Sequence, residues 1–175
     1  GDQAWDAGKI SVARSRYEQA VSMCKASSPV DVDSVAHGLS MLALFKKYDR
    51  DYEAANAYYA EAISFQDNGL GSSRQNVIFT LCLQINCLRE MRALDRAEKV
   101  ARDTVSRAEI EIGPHHRFLG DALLALAEVL WDRKNKAEAE HYMRAAIAHE
   151  LALDGRDGGF YGSNLLVFAG WLDAE

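Results

Sequence analysis

Proline is nearly missing from this chain of 175 residues, occurring only at Pro29 and Pro114. The long stretches without it are rich in Ala, Leu, Glu and Arg, a composition that favours helix throughout. Cysteine is scarce too. Cys24, Cys82 and Cys87 cannot all pair, and each sits in an apolar helical context where a free thiol behaves as a small hydrophobe. That points to a reducing, cytoplasmic compartment. No apolar run approaches the roughly 20 residues that a membrane-spanning helix needs. The N-terminus also lacks a charged segment followed by a hydrophobic one. A removed signal peptide leaves no trace, and Gly1 can be a cloning scar, so export stays compatible with the sequence. Positive charge is in deficit, with a net charge of −6. A general electrostatic grip on nucleic acid or anionic lipid is therefore not expected, although a local basic patch is not ruled out. What the chain does have is an apolar content of 49%, enough for one domain with a sizeable core.

The most informative pattern is an internal repeat. Alanine stands at 13, 55, 97 and 139, a constant spacing of 42 residues. Seven places on are Ala20, Ala62, Thr104 and Ala146, followed by Val21, Ile63, Val105 and Ile147. Periods of about 20–50 residues signal solenoids, in which each unit buries its apolar face against its neighbours.

Apolar residues within a period follow helical spacing, as in Leu39, Leu42, Ala43 and then Ala55, Tyr59, Ala62, Ile63. Each unit is therefore two helices. Asp49-Arg50-Asp51 divides the second unit, while Ser27-Ser28-Pro29, Asn68 to Gly71, Gly113-Pro114 and Gly155 to Gly159 separate units. Gly71, Gly113 and Gly155 again recur at 42, where a glycine can supply the left-handed residue that ends a helix. The expected helices are a short one ending near Gly8 with a partner at about 10–27, then pairs at 33–48 and 51–67, 73–91 and 94–112, 115–133 and 136–153. A last single helix is expected at about 160–173. The expected fold is all-α, a right-handed superhelical solenoid of antiparallel helix pairs with a concave inner face, forming one domain over 1–175. Its parts are a partial first unit at 1–27, units at about 33–67, 73–112 and 115–153, and a capping helix.

The run Leu123 to Leu130, continuing through Ala139-Glu140 to Ala145-Ala146-Ile147, resembles the tetratricopeptide repeat. Leu42-Ala43, Tyr52, Ala55, Tyr59 and Ala62-Ile63 follow the same pattern. The usual period of that family is 34 residues; units of 42 resemble those of kinesin light chain and of bacterial tetratricopeptide proteins. Ile112-Gly113-Pro114-His115-His116 is similar to their Leu-Gly-Pro-Asp-His link. Two family properties do not carry over. The asparagine pair by which kinesin light chain grips cargo peptides is replaced by Ser40-Met41, Cys82-Leu83 and Leu124-Ala125. The Lys, Asn and Arg cluster that clamps chaperone tails is likewise absent. The resemblance implies a scaffold that binds a protein or peptide along the concave face, within a bacterial assembly or regulator.

Candidate groove residues lie on the first helix of each pair, off its packed Leu-Ala face. They are His37, Ser40, Leu44, Lys47 and Tyr48 in the second unit, and Phe79, Cys82, Asn86 and Arg89 in the third. The fourth adds Asp121, Glu128, Trp131 and Asp132, with Trp5 three periods before Trp131. Aromatic and arginine side chains are common interface anchors; packing on a neighbouring helix is the equal alternative for Trp5 and Trp131. Lys47 and Arg89 are expected to make the middle of this groove basic, and Asp121, Glu128 and Asp132 its end acidic.

Other chemistries find little footing. His115-His116 and the pair His141 and His149 lack metal-ligand spacing with a carboxylate. Gly69-Leu70-Gly71-Ser72-Ser73 has neither the lysine nor the preceding strand of a phosphate loop. No nucleophile is placed beside a histidine and an acid, so neither enzymatic activity nor a cofactor is expected. The remaining alternative is a self-associating module using its terminal helices, as a homodimer through the C-terminal helix. Phe160, Tyr161, Val167 and Trp171 are expected on the outer face of that helix.

Overall fold

The shortage of helix breakers has the expected result: the computed structural model is helical over nearly all of what it describes, residues 2–69, 72–154 and 159–172. Side chains are placed from 8 to 69, 72 to 153 and 164 to 172. Among the described residues there are eight helices: α1 (Asp2–Ala26), α2 (Val32–Tyr48), α3 (Tyr52–Asn68), α4 (Arg74–Glu90), α5 (Leu94–Glu111), α6 (Arg117–Asp132), α7 (Lys136–Asp154) and α8 (Gly159–Leu172). The starts of α2 and α3 are fixed by side chains that accept otherwise unpaired backbone N–H groups. Asp31 accepts from Ser34 N at 3.1 Å and Asp51 from Ala54 N at 3.3 Å. The hydrogen bonds from Ser34 hold the Asp31 carboxyl below its ordinary pKa.

One expected break does not occur. The chain runs through Gly8 as a single helix, α1, where two helices were expected. A lone glycine weakens a helix by about 1 kcal/mol relative to alanine without ending it. The residue after Gly8 is Lys9, which cannot accept a backbone N–H and start a new helix as Asp51 does.

The chain divides into two compact units, 1–91 and 92–175. In the first, α1 packs on α2, α2 on α3 and α3 on α4; in the second, α5 packs on α6, α6 on α7 and α7 on α8. The short links make successive helices antiparallel. Small residues sit where helices come closest. Ala55, Ala97 and Ala139 are fully buried, as are Ala62, Thr104 and Ala146. Ala43 packs with Ala55 and Tyr59 in the first unit. Gly38 belongs to the same economy of space, since a Cβ there would collide with Val21 Cγ2 of α1. In α1, Ala13 is only half-buried and Ala20 is exposed, because no described helix covers that face.

The turns inside the pairs share one backbone geometry. Arg50, Arg92 and Lys134 adopt φ of 60°, 60° and 68°, the left-handed region, at the same 42-residue spacing. Asp51 N donates to Lys46 O and Arg50 N to Lys47 O, each at 2.9 Å, the crossed pattern that closes a helix C-terminus. Asn135 N and Lys134 N repeat it onto Leu130 O and Trp131 O. Between units, Gly113 takes φ of 84° as expected, Gly69 is extended at −84°, and Gly71 and Gly155 lie outside the described residues. A side chain in the left-handed region costs about 1 kcal/mol or more that glycine avoids. Lys134→Gly is therefore expected to stabilise the protein by about 0.5–1 kcal/mol. A melting temperature that falls in the variant would mean that the lysine side chain outweighs the backbone.

Helix α8 repeats a first helix and lies on α7. Its buried residues are Asn164, Phe168 and Trp171, one face at spacings of four and three. Trp171 is thus on the inner face, contrary to the sequence reading. Val167 is 38% exposed, and the side chains of Phe160 and Tyr161 lie outside the described residues.

Candidate functional site

Helices α2 and α4 carry nine of the candidate groove residues, all in the first unit. His37, Leu44, Tyr48 and Phe79 are exposed, with Tyr48 at 73%, Phe79 at 46% and Leu44 at 40%. Lys47, Asn86 and Arg89 are half-buried. Ser40 and Cys82 are buried, each 8% exposed, so Cys82 belongs to the packed face. Ser40 instead closes one wall of a cleft of about 210 Å³, lined also by Asp33, His37, Gln66, Asn76, Phe79 and Thr80. The structure thus gathers His37, Ser40 and Phe79 around one feature. Sequence reasoning missed Gln66, which comes from the last turn of α3, a second helix that the groove pattern did not include.

The basic middle expected of this face is muted. Lys47 Nζ lies 2.9 Å from a Glu90 carboxylate oxygen, so its charge is spent within the unit. Arg89 donates to Asn86 Oδ1 at 3.3 Å. Behind them Cys87 Sγ donates to Tyr52 O at 3.4 Å, and burial pushes its thiol up to about 11. Tyr59, fully buried beside Cys87, has a phenolic pKa raised for the same reason. Both groups therefore favour folding while neutral, and that contribution is lost as the pH rises above their unfolded values.

The Tyr59 hydroxyl is buried without a hydrogen-bond partner. An unsatisfied buried polar group costs about 1–3 kcal/mol. Tyr59→Phe keeps the ring and removes that oxygen, so it is expected to raise stability by about 1 kcal/mol in denaturant titration. An equal loss instead would show that the hydroxyl is paired in solution.

In the second unit, Asp121, Glu128, Trp131 and Asp132 of α6 are all half-buried. Trp131 stacks on Trp171 with ring centroids 4.6 Å apart and an interplanar angle of 3°, while Lys136 Nζ sits 5.3 Å from its centroid. It is a packing residue held between α8 and a lysine; the side chain of Trp5 lies outside the described residues. Burial raises the Asp121 carboxyl, opposed by Arg117, His116 and His149. His116 of the tandem pair has structural work. His116 Nδ1 accepts from Phe118 N at 3.3 Å, capping α6, and its carbonyl oxygen lies 3.0 Å from His149 Nε2. Among the described residues no three His, Cys, Asp or Glu side chains are grouped to hold a metal. All three cysteines are free. No described helix is long and apolar enough to cross a membrane.

Residues 119–148, which hold most of α6 and of α7, match the tetratricopeptide repeat family. That stretch is a tetratricopeptide repeat. The other helix pairs share the columns of the matched repeat at 42-residue intervals. Among solved structures the chain is similar to BtubC (BKLC) from P. vanneervenii, with a TM-score of 0.84 and 14% identity. That likeness covers 94% of this chain and 66% of the other, and it shows a shared helical-repeat fold. No curated protein matches the sequence. Tetratricopeptide repeats generally mediate protein–protein interaction.

Proposed function

We propose that this protein holds a protein or peptide against the exposed faces of its first helices, those of α2 and α4 in one unit and of α6 in the other. In this reading 1–175 is one repeat domain, and it acts as a scaffold within a bacterial cytoplasmic assembly or regulator, without catalysis, cofactor or nucleic acid. One observation carries it: Leu44, Tyr48 and Phe79, 40%, 73% and 46% exposed, leave large apolar surface in water on α2 and α4. Affinity capture from the source organism tests it. A variant with Leu44→Asp, Tyr48→Asp and Phe79→Asp is expected to lose the partner that the natural sequence retains. Identical capture by both would overturn the assignment of this face.

A second reading, self-association through terminal helices, is favoured by the exposure of columns that are buried elsewhere. Ala20 in α1 and Ala169 in α8 are exposed, whereas Ala62 and Ala146, and Ala43 and Ala127, are buried. Sedimentation equilibrium over a range of concentrations decides this reading, which a constant monomer mass would remove.

A further inference from the structure

Two helices lack the neighbour that their repeat columns call for. Ala43 of α2 packs with Ala55 and Tyr59 of α3, and Leu39 and Ala62 of the same two helices share one buried cluster. At the 42-residue period these columns recur in α8 as Leu165 and Ala169, and in α1 as Ala13, Tyr17 and Ala20. There they lie open. Leu165, Ala169 and Ala20 are exposed, and Ala13 and Tyr17 are only half-buried, whereas their equivalents in α2 and α3 are buried. Among the described residues α1 packs on α2 alone and α8 on α7 alone. Helix α8 therefore has a first-helix face with no second helix on it, and α1 a second-helix face with no first helix on it.

The two faces fit each other. On α8, Leu165 and Leu172 stand four and three residues either side of Ala169, an exposed apolar ridge with a small centre. On α1 an open groove of about 900 Å³ is lined by Val12, Ala13, Tyr17 and Ala20 together with Lys9 and Arg16. Long basic side chains cover apolar surface with their stems while their charge stays in water. Laid together as α2 lies on α3, the faces set Leu165 against Ala20 and Ala169 against Ala13 and Tyr17, so that large side chains meet small ones. Two α8 faces brought together would instead oppose leucine with leucine on both sides of Ala169. We propose that α1 of one copy of this chain seats on α8 of another, head to tail, and so completes across two molecules the pair that α2 and α3 form within one. The inference rests on the reading of self-association through the terminal helices and names its two surfaces. A contact between unlike surfaces leaves one of each unused at the ends of an assembly, which grows past two chains unless it closes into a ring.

Sedimentation of the intact chain over a range of concentrations, for single variants and for their mixture, tests the contact. Ala20→Arg and Ala169→Arg each put a long charged side chain at an exposed place on one face. Each variant alone is expected to associate at least about tenfold more weakly than the natural sequence. Mixed in equal amounts, the two are expected to restore a species of two chains and to stop there, because only the α8 face of the first and the α1 face of the second remain intact. Glutamate at the same two places repeats the test if circular dichroism shows that either arginine variant has lost helix. Association of Ala20→Arg at the natural strength, with Ala169→Arg monomeric, would mean that α8 pairs with α8; self-association would stand and the head-to-tail contact would fall. Association untouched by either variant, or a mixture without the two-chain species, would have the same meaning for the contact. A constant monomer mass for the natural sequence would remove the self-association reading itself, and the contact with it.

Discussion

Leu130→Ala is expected to lower stability by about 2–5 kcal/mol, whereas Leu172→Ala should change it by less than about 0.5 kcal/mol. The two leucines stand 42 residues apart in the same column of the repeat. Leu130 is fully buried, on α6 packed against both α5 and α7, while Leu172 at the end of α8 is 45% exposed. Truncating Leu130 leaves a cavity at a fully buried site between packed helices, which can relax only in part. Truncating Leu172 removes methyl groups that water already touches. Urea midpoints of the two variants give the comparison directly. Similar losses at both positions would mean that α8 has a partner on its open face in solution.

Trp171→Ala should cost about 3–5 kcal/mol of the free energy that docks α8 on the second unit. Trp171 is 9% exposed, stacked on Trp131 and edge-on to Phe168 at 6.4 Å, with Arg144 4.8 Å from the Phe168 ring centroid. Asn164 Nδ2 donates to Glu150 Oε2 at 3.1 Å at the other end of the same face. An end helix can leave without unfolding the rest, so the loss should appear first as faster amide exchange across α8. The global melt should shift less. Unchanged exchange in α8 together with a lowered melting temperature would mean that α8 and the core unfold as one. Removing residues 159–175 is the stronger form of the experiment, and the bared Trp131 surface should promote aggregation.

Much of this was legible in advance because a repeat prints its packing columns several times. The alanines at 55, 97 and 139 announced close helix contacts, and all three are fully buried. The same columns misled at the ends, where Ala13 and Ala20 have the residue type of a buried contact without the helix that would bury them. Gly8 misled in the opposite sense, since one glycine does not end a helix whose neighbours continue it. The left-handed turns at Arg50, Arg92 and Lys134 carried no glycine or asparagine to announce them, and at Arg50 and Lys134 the crossed backbone hydrogen bonds set the geometry in which a long side chain is accepted.

The candidate face was half legible. Helical spacing put His37, Leu44, Tyr48 and Phe79 off the packed side, which periodicity on a single helix can reveal. It could not place Gln66, because a cleft among three helices depends on how far each turn advances before the next helix begins.

Sequence by itself determined the period of 42, the all-helical class and the tetratricopeptide resemblance, since these rest on composition and spacing within one chain segment. Only the tertiary structure decided that Lys47 is neutralised by Glu90, that Trp131 and Trp171 stack on each other, and that Gln66 joins Asp33 and Phe79 around one cleft. Each of those facts depends on residues from different helices meeting at distances of a few ångströms. Spacing along one helix leaves such distances undetermined until the helices are packed.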